Sequence, residues 1–236
     1  CIRDRSLGVQ RTIVNDMQIS ISAARSERAP QETALYADGP HLATLTYERG
    51  SNDIDKETSY NIELGLGQKK ENRSWRVNTY YNRLDDFIYL AFVDSNNDGM
   101  ADRVNEEGIF EIDGELLAGQ YDNEDATFYG VEAEFIQQLI SNESYNLKGR
   151  VFGDYVRAEF KDNNTGNIPR ISPARFGIGL EANRGTWNGN IDLTFIADQN
   201  KEAQLESSTD GYEMLNASIY KTVFISNTDL NLFIKG

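Results

Sequence analysis

Residues 58–67, TSYNIELGLG, put Tyr60, Ile62, Leu64 and Leu66 at every second position, with Ser59, Asn61, Glu63 and Gly65 between them. Successive side chains of a strand point to opposite faces, so this spacing predicts a strand with one apolar and one polar face. The same period returns in FYGVEAEF (128–135), where Tyr129, Val131, Ala133 and Phe135 oppose Gly130, Glu132 and Glu134. It returns again in YNLKGRVFGDY (145–155), with Tyr145, Leu147, Val151 and Tyr155 against Asn146, Lys148, Arg150 and Asp154. In WNGNIDLTFIADQN (187–200), Trp187, Ile191, Leu193 and Phe195 oppose Asn188, Asn190, Asp192 and Thr194. No helical period of comparable strength occurs.

About ten segments read this way, near 5–14, 16–27, 57–69, 74–91, 125–140, 145–160, 172–184, 186–201, 210–222 and 225–236. Many exceed the usual strand of about 5 to 6 residues. Their connections alternate in length. VND, KKENRS, ISNES, RGT and SN are short, whereas 28–56, 92–124, 161–171 and 202–209 are long. Short turns at one rim and long polar loops at the other are the anatomy of an antiparallel transmembrane β-barrel. Trp75, Tyr80, Tyr81, Tyr89, Trp187 and Tyr212 fall near strand ends, where such a barrel carries its aromatic girdles. The competing fold is a soluble antiparallel sandwich, which also alternates its faces. Strand length and the charges Glu132, Glu134, Lys148, Arg150 and Asp192 on the polar face, suited to a wet lumen, favour the barrel.

Composition narrows the function classes. Acidic residues outnumber basic ones 38 to 23, a net charge of −15, which argues against a nucleic-acid partner and for cations. The single cysteine, Cys1, allows neither an internal disulfide nor a thiolate metal cluster. It is read as a truncated start rather than a lipid-modified terminus. No run of about 18 apolar residues occurs, so no membrane-spanning helix is expected. With one histidine, no G-x-S-x-G and no phosphate loop, no catalytic constellation assembles, and the chain does not read as an enzyme.

Several stretches carry a family likeness, in order and over nearly the whole chain. RSERAPQETALYADGPHLATLTYERGSNDIDKETSYNIELGL (25–66) resembles the segment of TonB-dependent outer-membrane receptors in which an Arg-x-Pro, an LYA run and a GPH-x-AT stretch precede a strand of E-x-S-x-N-x-E-L-G type. YYNRLDDFIYL (80–90), FYGVEAEF, ISPARFGIGLEA (171–182), ADQNKEAQLESSTDGYEMLNASIYK (197–221) and DLNLFIKG (229–236) continue the match. GPHLAT (39–44) and the 197–221 stretch are most similar to the zinc-uptake branch. The resemblance implies a barrel of about 22 strands around an N-terminal plug, of which this chain would supply about ten from the C-terminal part. It implies a Gram-negative outer-membrane location and import of a metal ion or metal complex, zinc favoured, energised by TonB acting on a plug outside this chain. The plug and the final strand are expected to lie outside residues 1–236. A siderophore or haem receptor is the alternative within the superfamily; a soluble Ca²⁺-binding sandwich or a structural or adhesive barrel is the alternative from another class.

Two loops offer cation ligands. His41 stands in the 28–56 loop with Asp38, Glu48 and Glu32 nearby, and imidazole and carboxylate suit zinc, although a tight site needs three or four ligands. The other reading is a loop-structuring histidine at the Gly-Pro turn. DSNNDGMADRVN (94–105) places Asp94, Asn96, Asp98, Asp102 and Asn105 at positions 1, 3, 5, 9 and 12, with Gly99 at position 6, the spacing of a calcium loop. A solvated Asx-rich turn is the other reading there. No cofactor is required; a bound zinc or calcium ion at these loops is an option that the ligand types allow.

Overall fold

The computed structural model describes residues 3–161, 166–203, 205–226 and 228–236; Cys1 and Asn227 of the short Ser-Asn turn lie outside them. Thirteen strands and one short helix follow in the order β1 (Arg5–Thr12), β2 (Met17–Arg28), α1 (Glu32–Tyr36), β3 (Asp38–His41), β4 (Thr46–Arg49), β5 (Glu57–Lys69), β6 (Arg73–Phe92), β7 (Arg103–Val104), β8 (Leu116–Ser141), β9 (Asn146–Phe160), β10 (Arg175–Arg184), β11 (Trp187–Ile196), β12 (Tyr212–Ile225) and β13 (Thr228–Lys235). Ten of them run as one antiparallel path, β1-β2-β5-β6-β8-β9-β10-β11-β12-β13, one for each alternating segment of the sequence. The sheet is open, with β1 and β13 at its edges. Among the described residues, no helix is long and apolar enough to cross a membrane.

Turn chemistry sets the short connections. Asn15 and Asp16 take positive φ values of 59° and 60° between β1 and β2, a conformation that short Asx side chains tolerate in tight hairpin turns. Gly185 does the same at 56° between β10 and β11. These turns fix register, and register carries the face pattern from strand to strand: Phe135 opposes Val151, Val151 opposes Ile178, Ile178 opposes Leu193 and Leu193 opposes Leu215. Apolar side chains therefore line up across five strands.

Among the described residues, nothing packs on that apolar face. Ile62 is 58% and Ile178 45% exposed, and Val131, Val151, Ile191 and Leu215 are exposed as well. A two-layer sandwich would bury this stripe as its core, so the exposure excludes the sandwich and leaves a wall built for a nonaqueous neighbour. On the opposite face, Arg76 and Arg150 bracket Glu134 at 3.4 and 2.6 Å, and Arg175 meets Asp154 at 2.9 Å.

Burial concentrates instead at the loop end. Leu84, Ala126, Ala158, Phe160 and Ile168 form one cluster, with Phe87, Tyr89, Phe128 and Ile171 packed against it. Tyr47, Val104, Leu116 and Ala118 form a second, with Val93 beside it. The 28–56 and 92–124 connections are consequently ordered where alternation gave no strand. β8 begins at Leu116, nine residues before the segment expected from 125, and its extension recruits β4 in parallel and β7 antiparallel. Two of the expected girdle positions change face. Tyr80 shares the polar face, opposite Glu63 and Gly130, and Tyr212 shares the parity of that face. Tyr89 packs its ring 4.5 Å from that of Phe160 in the first buried cluster, because the register shift between Leu84 and Phe87 re-aims the residues beyond it. Trp75, Tyr81 and Trp187 keep the apolar side.

Candidate ligand-capture site at the loop end

The 28–56 connection folds into α1 followed by the β3–β4 hairpin. Gly50 and Ser51 donate their amides to the carbonyls of Ala37 and Ala34, tying the helix to the end of β4. A Cβ at Gly50 would overlap the Leu35 carbonyl carbon and the Tyr36 amide nitrogen, so only glycine fits that crossing. β4 is then held against β8 by the parallel pairs Thr46 with Leu117 through Arg49 with Gln120, and the Gln120 amide donates to the carbonyls of Arg49 and Gly50 at 3.3 and 2.9 Å. Arg49 crosses to the other long loop, its guanidinium donating to the Gly108 carbonyl at 2.5 Å.

Hairpin register decides which candidate ligands meet. His41 opposes Thr46 and Gly39 opposes Glu48, which puts His41, Thr46 and Glu48 on one side and Asp38 with Tyr47 on the other. His41 Nδ1 lies 3.0 Å from Glu48 Oε1 and 2.9 Å from Thr44 Oγ1. Thr44 and Thr46 hydroxyls are 2.7 Å apart, Thr46 donates to Glu48 Oε1 at 3.3 Å, and Tyr121 donates to Glu48 Oε2 at 3.0 Å. Both carboxylate oxygens are thus occupied, and Nδ1 of the imidazole is spoken for. The ring is half exposed, with its side chain 56% accessible, and Nε2 has no protein partner among the described residues. A histidine that gives one nitrogen to a carboxylate and holds out the other has the orientation used by metal-bound imidazoles.

Asp38 is not part of that group. It accepts from the Tyr47 hydroxyl at 2.9 Å, and this bond, with burial second, raises the pKa of the Tyr47 phenol above its ordinary value. Glu32 opens α1 and has no bond to His41 or Glu48 among the described residues. No group of three or more His, Cys, Asp or Glu able to hold a metal occurs among the described residues. His41 and Glu48 are brought together from the expected set, while Asp38 and Glu32 stand apart. Thr44, Thr46 and Tyr121 complete the arrangement; Tyr121 comes from the extended start of β8, and no spacing in the sequence ties it to Glu48.

The 94–105 stretch divides between separate turns. Asp94 accepts the amides of Asp98 and Gly99 at 3.1 and 3.0 Å, Asn96 accepts that of Asp98 at 3.0 Å, and Asp98 accepts that of Met100 at 2.9 Å. Asp102 is buried and turned toward Ser95, whose amide and hydroxyl it accepts at 3.1 and 2.6 Å. Asn105 caps the next turn by accepting from Glu107 and Ile109. Asp94, Asn96 and Asp98 share one tip; Asp102 and Asn105 are engaged elsewhere.

Residues 6–235 match the family model described as TonB dependent receptor-like, beta-barrel. The chain belongs to the TonB-dependent receptor family. Solved structures agree in fold. The copper transporter OprC is similar over 98% of this chain and 32% of its own, at 15% identity and a TM-score of 0.72. The siderophore receptor PirA from Acinetobacter baumannii is similar over 98% and 36%, at 14% identity and 0.62. The ferric enterobactin receptor PfeA from Pseudomonas aeruginosa, in a structure with enterobactin bound, is similar over 97% and 34%, at 16% identity and 0.61. The chain spans about a third of the length of the solved structures it matches. In a TonB-dependent receptor barrel the exposed apolar stripe is the lipid face and the Glu134 face is the lumen.

Proposed function

We propose that this segment belongs to an outer-membrane receptor that imports a metal ion or a metal complex, with His41 as a ligand presented at the loop end. The reading is supported by the His41–Glu48 contact at 3.0 Å, which leaves an exposed imidazole nitrogen free to bind a cation in an acidic chain. The similarity to a protein named as a copper transporter is in keeping with a metal cargo. Imidazole suits zinc and copper alike, and zinc is favoured by the resemblance of residues 39–44 and 197–221 to the zinc-uptake branch. A single histidine does not make a tight site, so the remaining ligands come from the cargo, from water or from segments of the receptor beyond this chain. The loops capture, the lumen conducts, and TonB supplies the energy through a plug outside this chain.

The test is metal titration of the full-length receptor by calorimetry, comparing the parent with His41→Ala and Glu48→Gln. His41→Ala is expected to weaken Zn²⁺ binding at least tenfold, and Glu48→Gln by about 10- to 100-fold through loss of imidazole orientation. Zn²⁺ affinity unchanged in His41→Ala removes that residue from the site. A second reading, import of a ferric siderophore, is favoured by the similarity to PirA and PfeA. Competition by ferric enterobactin, with no response to bare metal, would select it.

A further inference from the structure

The lipid face ends, at the short-turn rim, in a row of alternating cations and aromatic rings. Arg184 opposes Trp187 across the β10–β11 pair, and Trp187 opposes Lys221 across the β11–β12 pair. The Arg184 guanidinium stands 4.8 Å from the Tyr145 ring centroid, and the Lys221 ammonium 4.7 Å from that of Trp187. The Thr222 amide donates to the Thr186 carbonyl at 3.0 Å, which fixes β12 to the turn between β10 and β11. Neighbouring strands are about 4.8 Å apart, so the backbones carrying the two cations are about 10 Å apart, within reach of one group for two long side chains.

These cations differ from the ion-paired ones of the sheet. Arg25, Arg76, Arg83, Lys148, Arg150, Arg157 and Arg175 each meet a carboxylate. Among the described residues Arg184 and Lys221 meet none; their partners are rings. Outward carboxylates on the strands, Glu27, Asp85, Glu159 and Glu213 among them, sit toward the loop end, whereas Arg11, Arg73, Arg184 and Lys221 face outward at the turn end. In a chain with an excess of 15 negative charges, the charged side chains along this stretch of outward strand surface are all positive among the described residues.

Directly above the row is an apolar groove of about 370 Å³ lined by Ile140, Leu147, Ala182, Gly189 and Ile219. Ala182 and Gly189 face each other across the β10–β11 pair, and their small side chains open it. A larger apolar depression lined by Val151 and Ile178 lies farther along the same strands.

We propose that Arg184, Lys221, Trp187 and Tyr145 hold the phosphate of an anionic phospholipid from the leaflet at the short-turn rim, with one acyl chain lying in the Ala182–Gly189 groove. Charge complementarity and continuity with the lipid face select this occupant. A basic side chain near an anionic leaflet favours the charged headgroup, and aromatic rings placed at headgroup depth pack against its glycerol and upper chain. The inference requires only the barrel reading and is independent of the cargo.

The experiment is native mass spectrometry of the full-length receptor released from mixed micelles holding equal amounts of phosphatidylglycerol and phosphatidylcholine. Phosphatidylglycerol is expected to be retained about five- to tenfold over phosphatidylcholine. Arg184→Gln with Lys221→Gln should bring the ratio to about one, and Gly189→Leu should reduce retention of both lipids while the charge preference of what remains persists. The space beside Gly189, where a Cβ would meet the Ser218 carbonyl oxygen at 3.5 Å, admits that side chain. Heat-modifiable migration checks folding, and the single variants Arg184→Gln and Lys221→Gln serve if the double variant does not fold. Zn²⁺ affinity should be unchanged in all of them, which separates this test from that of the cargo. Equal retention of the two lipids by the parent, an unchanged ratio in the charge variants, or a second receptor copy retained in place of lipid would overturn the proposal.

Discussion

Replacing Ile178 by arginine places a charge where the wall meets hydrocarbon. Ile178 is six residues from Arg184 at the turn-end rim, about 20 Å along the strand. At a strand tilt of about 40° this is roughly 15 Å of depth, near the middle of an apolar band about 25 Å tall. The side chain is already 45% exposed, so in water the change would cost under about 0.5 kcal/mol, as surface substitutions do. In a bilayer, arginine at the midplane costs about 2–4 kcal/mol, falling to about 0–1 kcal/mol at the interface. Ile178→Arg is therefore expected to lower stability by about 3 kcal/mol. Trp187→Arg at the rim and Asn190→Arg on the lumen face should each cost under about 1 kcal/mol. The assay is reversible guanidinium unfolding of the full-length receptor from phospholipid vesicles. A cost for Ile178→Arg no greater than for Asn190→Arg would refute the assignment of faces.

Gly50→Ala should cost about 1–3 kcal/mol by forcing β4 away from α1, read as faster protease cleavage within 28–56. Tyr47→Phe removes the bond to Asp38 and should loosen the same hairpin near neutral pH. The pKa of Tyr47 is raised on folding, so its contribution is complete below the unfolded value near 10 and is lost as pH rises through the folded one. Protection factors in β3 and β4, corrected for the base-catalysed intrinsic rate, should fall at strongly alkaline pH in the parent and much less in Tyr47→Phe. Asp102→Ala leaves the Ser95 amide and hydroxyl without their shared acceptor and should cost about 1–3 kcal/mol, seen as loss of protection in 92–105.

Alternation made the ten long strands legible because each has one face in contact with lipid and the other with water, and a period of two survives in any register. Residues such as Ile62, Val131 and Ile191 announce their face from sequence. The loop end was not legible for the same reason: β4 and the start of β8 are covered on both sides, so TYER and LLAGQ carry no alternating signal. Tyr80 and Tyr89 show a second limit. Tyrosine suits the girdle, the lumen and a buried cluster alike, and only register and the register shift after Leu84 decide among them. His41 and Glu48 could be placed in one loop from sequence, but pairing Gly39 with Glu48 is what turns Asp38 away. Tyr121 meets Glu48 across 73 residues, a contact set by tertiary structure alone.

The most direct measurement is spin-label accessibility along β11 in the full-length receptor in vesicles, with single cysteines at each position from 188 to 195. Labels at Gly189, Ile191, Leu193 and Phe195 should collide with oxygen dissolved in lipid, and labels at Asn188, Asn190, Asp192 and Thr194 with a water-soluble nickel chelate, in strict alternation. Labels at Ile191 and Leu193 shielded from both reagents would mean that this stripe is buried between protein layers, and the membrane barrel would be wrong.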